Sequence, residues 1–264
     1  MIRHRYLYYR NSQLPKKNGG FRVLKVPHGL LKKHQGCVKR LVLDAVKPLP
    51  CVHGGVVGRS VVTNAKPHVG KNVVFKLDVQ DFFPSVRATK VRSIFGTLGF
   101  GQDAIDALVA LTTWDDQLPQ GAATSVGLAN LAMYKADVRL ARLAEQQGFD
   151  YTRYIDDLTV SGSWRLLKFR KLIQRIIEEE GFVVNLKKLK TMTAGSRQEV
   201  TGLIVNEKLN LPKERRDVIR REVAQISSRH NRRAANQARV RGQLSWLSSV
   251  NPRQAVRLRI RAGV

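Results

Sequence analysis

The chain has 264 residues, 43% of them hydrophobic, which is enough to bury a sizeable core in one large domain or two smaller ones. These totals exclude a disordered basic tail. Lysine and arginine number 47 against 20 acidic residues, and the formal net charge is +27. Such an excess favours a polyanionic partner, nucleic acid first, because neutralising phosphates releases counterions. Charge alone leaves open a ribosomal-type structural protein or a membrane-surface binder.

The basic residues are concentrated at the two ends of the chain. Residues 1–50 contain twelve lysines and arginines and one acid, and residues 211–264 contain fourteen against three. We therefore expect both ends to contact phosphate, with most of the acidic residues lying between them.

Cysteine content and hydropathy indicate a reducing compartment. Two cysteines form no disulfide framework, and no apolar run reaches the length of a signal segment or a membrane span. The default expectation is a cytoplasmic protein without a membrane partner. Zinc is not expected, because the nearest cysteines and histidines match no compact ligand spacing: Cys37, Cys51, His53 and His68.

In chain order, the first predicted elements are a hairpin and a basic helix. Residues 9–27 predict the hairpin, with its turn at Asn18-Gly19-Gly20. The amphipathic helix is predicted over 29–47. A glycine-rich loop at 53–60 and an apolar strand at 72–78 follow.

Helical and strand-like segments then alternate to the end of the chain. The remaining predicted elements are helices at 86–98, 103–114 and 124–146, a hairpin within 149–162, a helix from Leu166 to Gly181, strands at 182–185 and 198–205, and a basic helical tail from Pro212. This order predicts an α+β fold, with helices packed on one face of a mainly antiparallel sheet.

Two adjacent acids, Asp156 and Asp157, lie at the predicted tip of the central hairpin. Neighbouring strand residues point to opposite faces, so both acids serve one site only if a turn re-aims them. Asp78, at the end of the apolar strand, is the best candidate for a third acid. Three such acids can hold two divalent cations about 3.5 to 4 Å apart, which suits phosphoryl transfer. The alternative is an exposed turn, where aspartate is common.

Five short motifs occur in the order and at the separations of one known family. They are F-K-L-D-V-Q-D-F-F-P-S at 75–85, L-P-Q-G-A-A-T-S at 118–125, Y-I-D-D at 154–157, G-F-V-V-N at 181–185 leading to K-T at 190–191, and V-T-G at 200–202. Over nearly its whole length the chain resembles a reverse transcriptase. It most resembles the bacterial retron type, because N-A-K-P-H at 64–68 matches the N-A-x-x-H signature and V-T-G matches the second retron signature.

The resemblance implies a right-hand polymerase fold. Its fingers would span residues 1–72. Its palm, an antiparallel sheet backed by helices, would span residues 73–205, and its basic helical thumb would span residues 206–264. Asp78, Asp156 and Asp157 would be the catalytic ligands of two Mg²⁺ ions. The backbone carbonyl of Val79 would be a further ligand.

The same resemblance implies a binding pocket for a deoxynucleoside triphosphate. Phe83 falls on the steric-gate position, where an aromatic ring excludes a 2′-hydroxyl. Gln120 would lie near the incoming sugar and base. Arg22 with Lys16 or Lys17 would hold the triphosphate.

Two departures from the retron pattern lie near these residues. Ile155 precedes the acid pair where alanine is usual. The lysine segment is two residues longer than usual, so Lys188 and Lys190 are both candidates for the triphosphate-side lysine. We favour Lys190 because Thr191 follows it.

Contacts to primer, template and RNA are also implied by the resemblance. Tyr154 would rest against the primer end, although a strand tyrosine in a core is nearly as good a reading. The N-A-x-x-H segment and the basic tail would recognise RNA by shape and backbone. For Trp246 in that tail, packing between helices is the favoured alternative. The full set is Tyr154, Asn64, His68, Thr201, Gly202, Arg241 and Trp246.

For a retron enzyme the resemblance implies a cognate structured noncoding RNA as partner and template. Synthesis would start from a 2′-hydroxyl of that RNA and yield branched, RNA-linked DNA, often in an antiphage system with a separate effector protein. Two alternatives remain open from the sequence. One is a different bacterial defence reverse transcriptase, primed on protein or untemplated, and the other is a palm-fold RNA-binding scaffold that regulates a partner.

Overall fold

The computed structural model describes residues 6–15, 19–227 and 234–263, so Lys16 and Lys17 lie outside the described residues. The strands are β1 (Tyr9–Pro15), β2 (Phe21–Pro27), β3 (Val73–Asp78), β4 (Asp150–Tyr154), β5 (Asp157–Gly162), β6 (Lys190–Thr193), β7 (Glu199–Val200) and β8 (Leu203–Ile204). The helices are α1 (Gly29–Val38), α2 (Val61–Ala65), α3 (Phe82–Ser85), α4 (Ala88–Thr97), α5 (Gln102–Thr112), α6 (Ser125–Ala132), α7 (Tyr134–Gln147), α8 (Leu166–Glu179), α9 (Lys213–Ser227), α10 (Ala234–Val250) and α11 (Pro252–Ala262).

A four-stranded antiparallel sheet forms the centre of the fold, in the order β4-β5-β3-β6. One face is apolar because alternate residues of β3 and β5 are Phe75, Leu77, Leu158 and Val160, all buried against α7 and α8. The expected α+β fold is therefore confirmed.

The opposite face of the sheet is polar. It carries Thr152, Thr159 and Ser161, and it is covered by α2 and the short 3₁₀ segment Lys66–His68 that follows it. Hydrogen bonds between side chains connect the two layers, which allows polar groups to be fully buried there.

Residues 51–54 run beside the outer strand β4. The Arg153 N–H donates to the Cys51 carbonyl at 2.8 Å, and the His53 N–H donates to the Arg153 carbonyl at 2.8 Å. Part of the predicted glycine-rich loop therefore covers a sheet edge that would otherwise be unpaired.

The C-terminal helices have a hydrophobic cluster of their own. Helices α9 to α11 pack around residues such as Leu211, Val223 and Leu244, and the cluster extends to Ala65 of α2 and Val200 of β7. No helix within the described ranges is long and apolar enough to cross a membrane.

Several sequence-based boundaries are wrong. The first helix ends at Leu43 after a π-helical turn, not at 47, and the helix predicted over 124–146 is divided at Met133 into α6 and α7. Residues 182–185 contribute one bridge, from Val184 to Val79, and no named strand. The strand predicted over 198–205 is the tight hairpin β7–β8.

Candidate active site

The three acids expected as metal ligands are brought together by strand register. Asp78 ends β3 and lies directly opposite Asp157, the first residue of β5. The Val79 N–H donates to the carbonyl of Asp156 at 3.0 Å, which attaches the hairpin tip to the chain that leaves β3.

The tip of the hairpin is a two-residue turn. Tyr154 pairs with Asp157, which leaves Ile155 and Asp156 in the turn. Ile155 has a φ of 60°, in the left-handed region that a β-branched residue rarely occupies. The turn therefore carries the first of the two adjacent acids, Asp156, while the second, Asp157, begins β5.

Burial and mutual repulsion make this cluster electrostatically unfavourable by itself. The pKa of Asp156 is raised, mainly by burial and then by the nearby charge of Asp78. The pKa of Asp157 is also raised by burial, although Lys76 opposes the shift through an ion pair of 2.9 Å. A further cation is therefore favourable beside these acids.

The donor set fits a divalent cation in its chemistry. Hard cations such as Mg²⁺ take carboxylate and carbonyl oxygens, which Asp78, Asp156, Asp157 and the Val79 main chain supply. Within the described residues, no group of three Asp, Glu, His or Cys side chains is close enough together to hold a metal ion in the present side-chain conformations. The ammonium groups of Lys188 and Lys76 contact Asp78 and Asp157 instead.

A cavity of about 420 Å³ opens in front of the acids. It is lined by Arg22, Asp78, Val79, Phe83, Gln120, Asp156 and Lys188, among others. Of the four residues expected to bind a nucleotide that the structure describes, three therefore face one space: Arg22, Phe83 and Gln120. The side-chain oxygen Oε1 of Gln120 is buried and has no hydrogen-bond partner within the part of the chain described here, which leaves it free for a ligand.

The hairpin β1–β2 forms one wall of that cavity. The Lys25 N–H donates to the Gln120 carbonyl at 2.7 Å, and a Cβ at Gly121 would lie 3.3 Å from the Lys25 carbonyl oxygen. This close approach, together with a φ of 110° at residue 121, explains why glycine follows Gln120, and β2 contributes Arg22 to the cavity lining.

Of the two candidate lysines, the structure places Lys188 at the cavity and not Lys190, the one favoured from the sequence. Lys190 lies on β6, paired with Lys76; it is exposed and is not among the residues that line the cavity. Lys188 lines the cavity, and its Nζ lies 3.0 and 2.9 Å from the two carboxylate oxygens of Asp78. The two extra residues of the lysine segment form a 3₁₀ turn, Leu186–Lys188, which carries Lys188 toward the acids.

Asn64 and His68 are buried, which corrects the expectation that their side chains contact RNA. Both have 0% exposure. His68 is hydrogen-bonded to Ser161 and Thr152, each at 2.7 Å, and burial lowers its pKa to about 3. The signature therefore joins α2 to the polar face of the sheet.

The other residues expected to contact RNA are dispersed. Thr201 and Gly202 form the β7–β8 turn, with φ values of 46° and 81°, and the Thr201 hydroxyl donates to the Val61 carbonyl at 3.0 Å. Trp246 packs on the hydrophobic cluster of the C-terminal helices. The guanidinium carbon of Arg215 lies over its indole ring, 4.2 Å from the ring centre.

Arg241 is exposed on the surface of α10. Tyr154 is half-buried beside Asp157 and does not line the cavity.

Sequence reasoning missed a buried ion pair behind the hairpin. Arg153 and Asp137 are both completely buried and lie 2.6 Å apart at their closest atoms. The one signal in the sequence was a charged residue at a strand position between buried neighbours.

Comparison with known proteins identifies the family. Residues 14–226 match the model of the reverse transcriptase (RNA-dependent DNA polymerase) family. The chain is 38% identical to the retron Mx65 reverse transcriptase of Myxococcus xanthus, covering 97% of this chain and 64% of that protein. It is 36% identical to the retron Ec86 reverse transcriptase of Escherichia coli, covering 90% of this chain and 74% of that protein.

The chain therefore belongs to the reverse transcriptase family and, within it, to the retron reverse transcriptases. It spans somewhat less than two thirds of the length of the Mx65 relative. Among solved structures, telomerase from Candida albicans with a fragment of telomeric RNA matches with a TM-score of 0.52 at 10% identity, over 96% of this chain and 54% of that one. This likeness bears on the fold alone and confirms the right-hand polymerase architecture.

Proposed function

We propose that this chain is an RNA-directed DNA polymerase that copies part of a cognate structured noncoding RNA into RNA-linked single-stranded DNA. The observation that carries the proposal is the convergence of Asp78, Asp156, Phe83, Gln120 and Arg22 on one cavity. Membership of the retron reverse transcriptases supports it.

The acids would hold two Mg²⁺ ions. When bound, these ions would activate the attacking hydroxyl and neutralise the departing pyrophosphate. Asp78 and Asp156 face the cavity directly, and Asp157 would join them by exchanging its contact with Lys76. Val79 would contribute its main-chain carbonyl, since the residue lines the cavity and its own side chain offers no ligand atom.

The remaining cavity residues would bind a deoxynucleoside triphosphate. Arg22 and Lys188 both line the cavity and bring positive charge to it, which suits the binding of a triphosphate. The Phe83 ring would occupy the space that a 2′-hydroxyl needs. Gln120, with its unpartnered oxygen, would accept a hydrogen bond from the sugar or base.

The biological setting proposed is that of a retron. The noncoding RNA would serve as template and, through a 2′-hydroxyl, as primer, in the bacterial cytoplasm where that RNA is made. The exposed arginines of α9 to α11 and the basic N-terminal segment would bind its phosphates. Antiphage defence with a separate effector protein is part of the same proposal.

The test is the nucleic acid that copurifies with the chain. We expect RNA and DNA joined in one molecule, so that RNase leaves a DNA with a short branched RNA remnant and DNase leaves the RNA. Free DNA, or DNA attached to protein, would favour a different defence reverse transcriptase. RNA without DNA from a wild-type chain that cannot extend a primer would favour a scaffold.

A further inference from the structure

The Arg153 guanidinium is buried against Asp137 of α7 and is not among the groups that line the cavity. Its Nε and Nη2 donate to the two oxygens of Asp137 at 2.8 and 2.6 Å, and both side chains are fully buried. A buried charge pair is tolerated only when its hydrogen bonds are satisfied, so this geometry is strongly constrained.

The remaining terminal nitrogen of Arg153 is directed at the turn itself. Nη1 donates to the carbonyl oxygen of Ile155 at 2.8 Å and to Oδ1 of Asn130 at 2.9 Å. The Ile155 carbonyl belongs to the peptide that joins Ile155 to Asp156. The guanidinium therefore holds the peptide plane from which the Asp156 carboxylate departs.

The turn requires such support because its backbone is strained. A left-handed φ of 60° is unfavourable for isoleucine, and it persists only where surrounding contacts determine it. Gly54 supplies a second contact from behind, since a Cβ there would lie 2.3 Å from the Ile155 nitrogen. The Asn130 Nδ2 donates to the Gly54 carbonyl at 3.0 Å, so Asn130 connects both supports.

We propose that Arg153 is a positioning residue for nucleotide transfer: with Asp137 and Asn130 it holds the Ile155 peptide in its left-handed conformation and so directs the Asp156 carboxylate into the cavity. This inference rests on the proposed function. A residue that only stabilised the fold would not affect how tightly the acids bind a metal ion. A positioning role for Arg153 makes that metal affinity depend on the buried ion pair.

A neighbouring residue offers a matched control. The Tyr151 hydroxyl donates to the same Oδ1 of Asp137 at 2.7 Å and is equally enclosed. It makes no hydrogen bond to the turn. Tyr151→Phe therefore weakens the buried cluster while leaving the contact between Arg153 and Ile155 in place.

The experiment compares Arg153→Lys with Tyr151→Phe. Lysine keeps the charge opposite Asp137 but cannot also supply the forked donors that reach Ile155 and Asn130. Three quantities are measured: denaturant unfolding, binding of Mn²⁺ to the chain without nucleotide by electron paramagnetic resonance, and kcat and KM for a deoxynucleotide on an RNA template.

We expect Arg153→Lys to weaken Mn²⁺ binding and to lower kcat by about 10- to 100-fold, as for other residues that orient ligands, with KM nearly unchanged. Tyr151→Phe should lower stability alone. The proposal is overturned if Arg153→Lys binds Mn²⁺ as the wild type does, or if Tyr151→Phe loses as much affinity as Arg153→Lys.

If Arg153→Lys does not fold, Asn130→Ala provides a second test of the positioning role. Asn130 is only partly buried, and its loss removes the link between Arg153 and Gly54. Weaker Mn²⁺ binding in the folded variant supports the proposal, and unchanged binding overturns it. A wild-type chain that binds Mn²⁺ and polymerises while every variant matches it would refute this inference and leave the proposed function intact.

Discussion

The ammonium of Lys188 contacts both carboxylate oxygens of Asp78, at 3.0 and 2.9 Å, although the two residues are 110 positions apart in the chain. The lysine side chain is 56% exposed and the aspartate side chain 18%. A cation on a largely exposed side chain therefore lies against a largely enclosed acid, and both residues line the cavity. Under the proposed function, we expect this ammonium to exchange the carboxylate for a phosphate of the incoming nucleotide.

Lys188→Ala should therefore impair nucleotide use more than Lys190→Ala. We expect kcat/KM for a deoxynucleotide to fall about 10- to 100-fold, the cost of one hydrogen bond between charged groups. Lys190→Ala is the matched control, because Lys190 is exposed on β6. Steady-state primer extension on an RNA template measures both. An equal or larger loss from Lys190→Ala would contradict the assignment.

Phe83→Val should relax the choice between deoxynucleotides and ribonucleotides. Removal of the ring would open the space that the proposed steric gate occupies, and we expect relative use of ribonucleotides to rise roughly 10- to 100-fold. The measurement is the ratio of kcat/KM for the two nucleotide types. Phe95→Val, in the core and away from the cavity, should lower stability without altering that ratio.

Gly54→Ala should displace the hairpin tip. Its Cβ would lie within 2.5 Å of both the nitrogen and Cγ1 of Ile155, so the turn must move, at a cost of about 1–3 kcal/mol in the free energy of unfolding. Polymerase activity should fall with it. Gly36→Ala, within α1 and with open space around it, should instead raise stability by about 0.5–1 kcal/mol. Similar effects from the two substitutions would refute the close approach.

His68 should make stability depend on pH in mildly acidic solution. Its pKa is about 3 in the folded chain and 6.5 without burial, so the unfolded chain binds the proton first. Stability is therefore complete above pH 6.5 and falls as the pH drops, by about 1.4 kcal/mol per pH unit, until the folded pKa is reached.

Urea unfolding of wild type and His68→Gln between about pH 7 and pH 5 measures that slope. The contribution of His68 is the difference between the two plots of unfolding free energy against pH, since all other groups titrate in both proteins. His34→Gln, at an exposed position, should follow the wild type. Parallel curves for wild type and His68→Gln would contradict a neutral, buried imidazole.

Much of the fold and the acidic centre could be predicted because they depend on local patterns. Apolar strands that end in acids, and a doublet at a hairpin tip, indicate their own geometry: Asp78 and Asp157 are direct neighbours as expected. The predicted helix is divided at Met133, where no proline or glycine indicates a break in the sequence. This division depends on tertiary packing.

The errors concern contacts between residues far apart in the sequence. A polar residue such as His68 suggests a surface, and its burial depends on Ser161 and Thr152, in strands that follow more than 80 residues later. The position of Lys188 likewise depends on how a 3₁₀ turn packs beside β3. Neither contact leaves a periodic signal.

The central claim is that Asp78, Asp156 and Asp157 form the nucleotide-transfer centre, and Asp156→Asn tests it most directly. Asparagine keeps the shape of the side chain and removes a charge that burial and Asp78 already disfavour, so the variant should fold at least as stably as the wild type. With Mg²⁺, an RNA template and a primer, the wild type should incorporate deoxynucleotides, and the variant should be slower by about 1,000-fold or more. Extension by the folded variant at the wild-type rate would contradict the account.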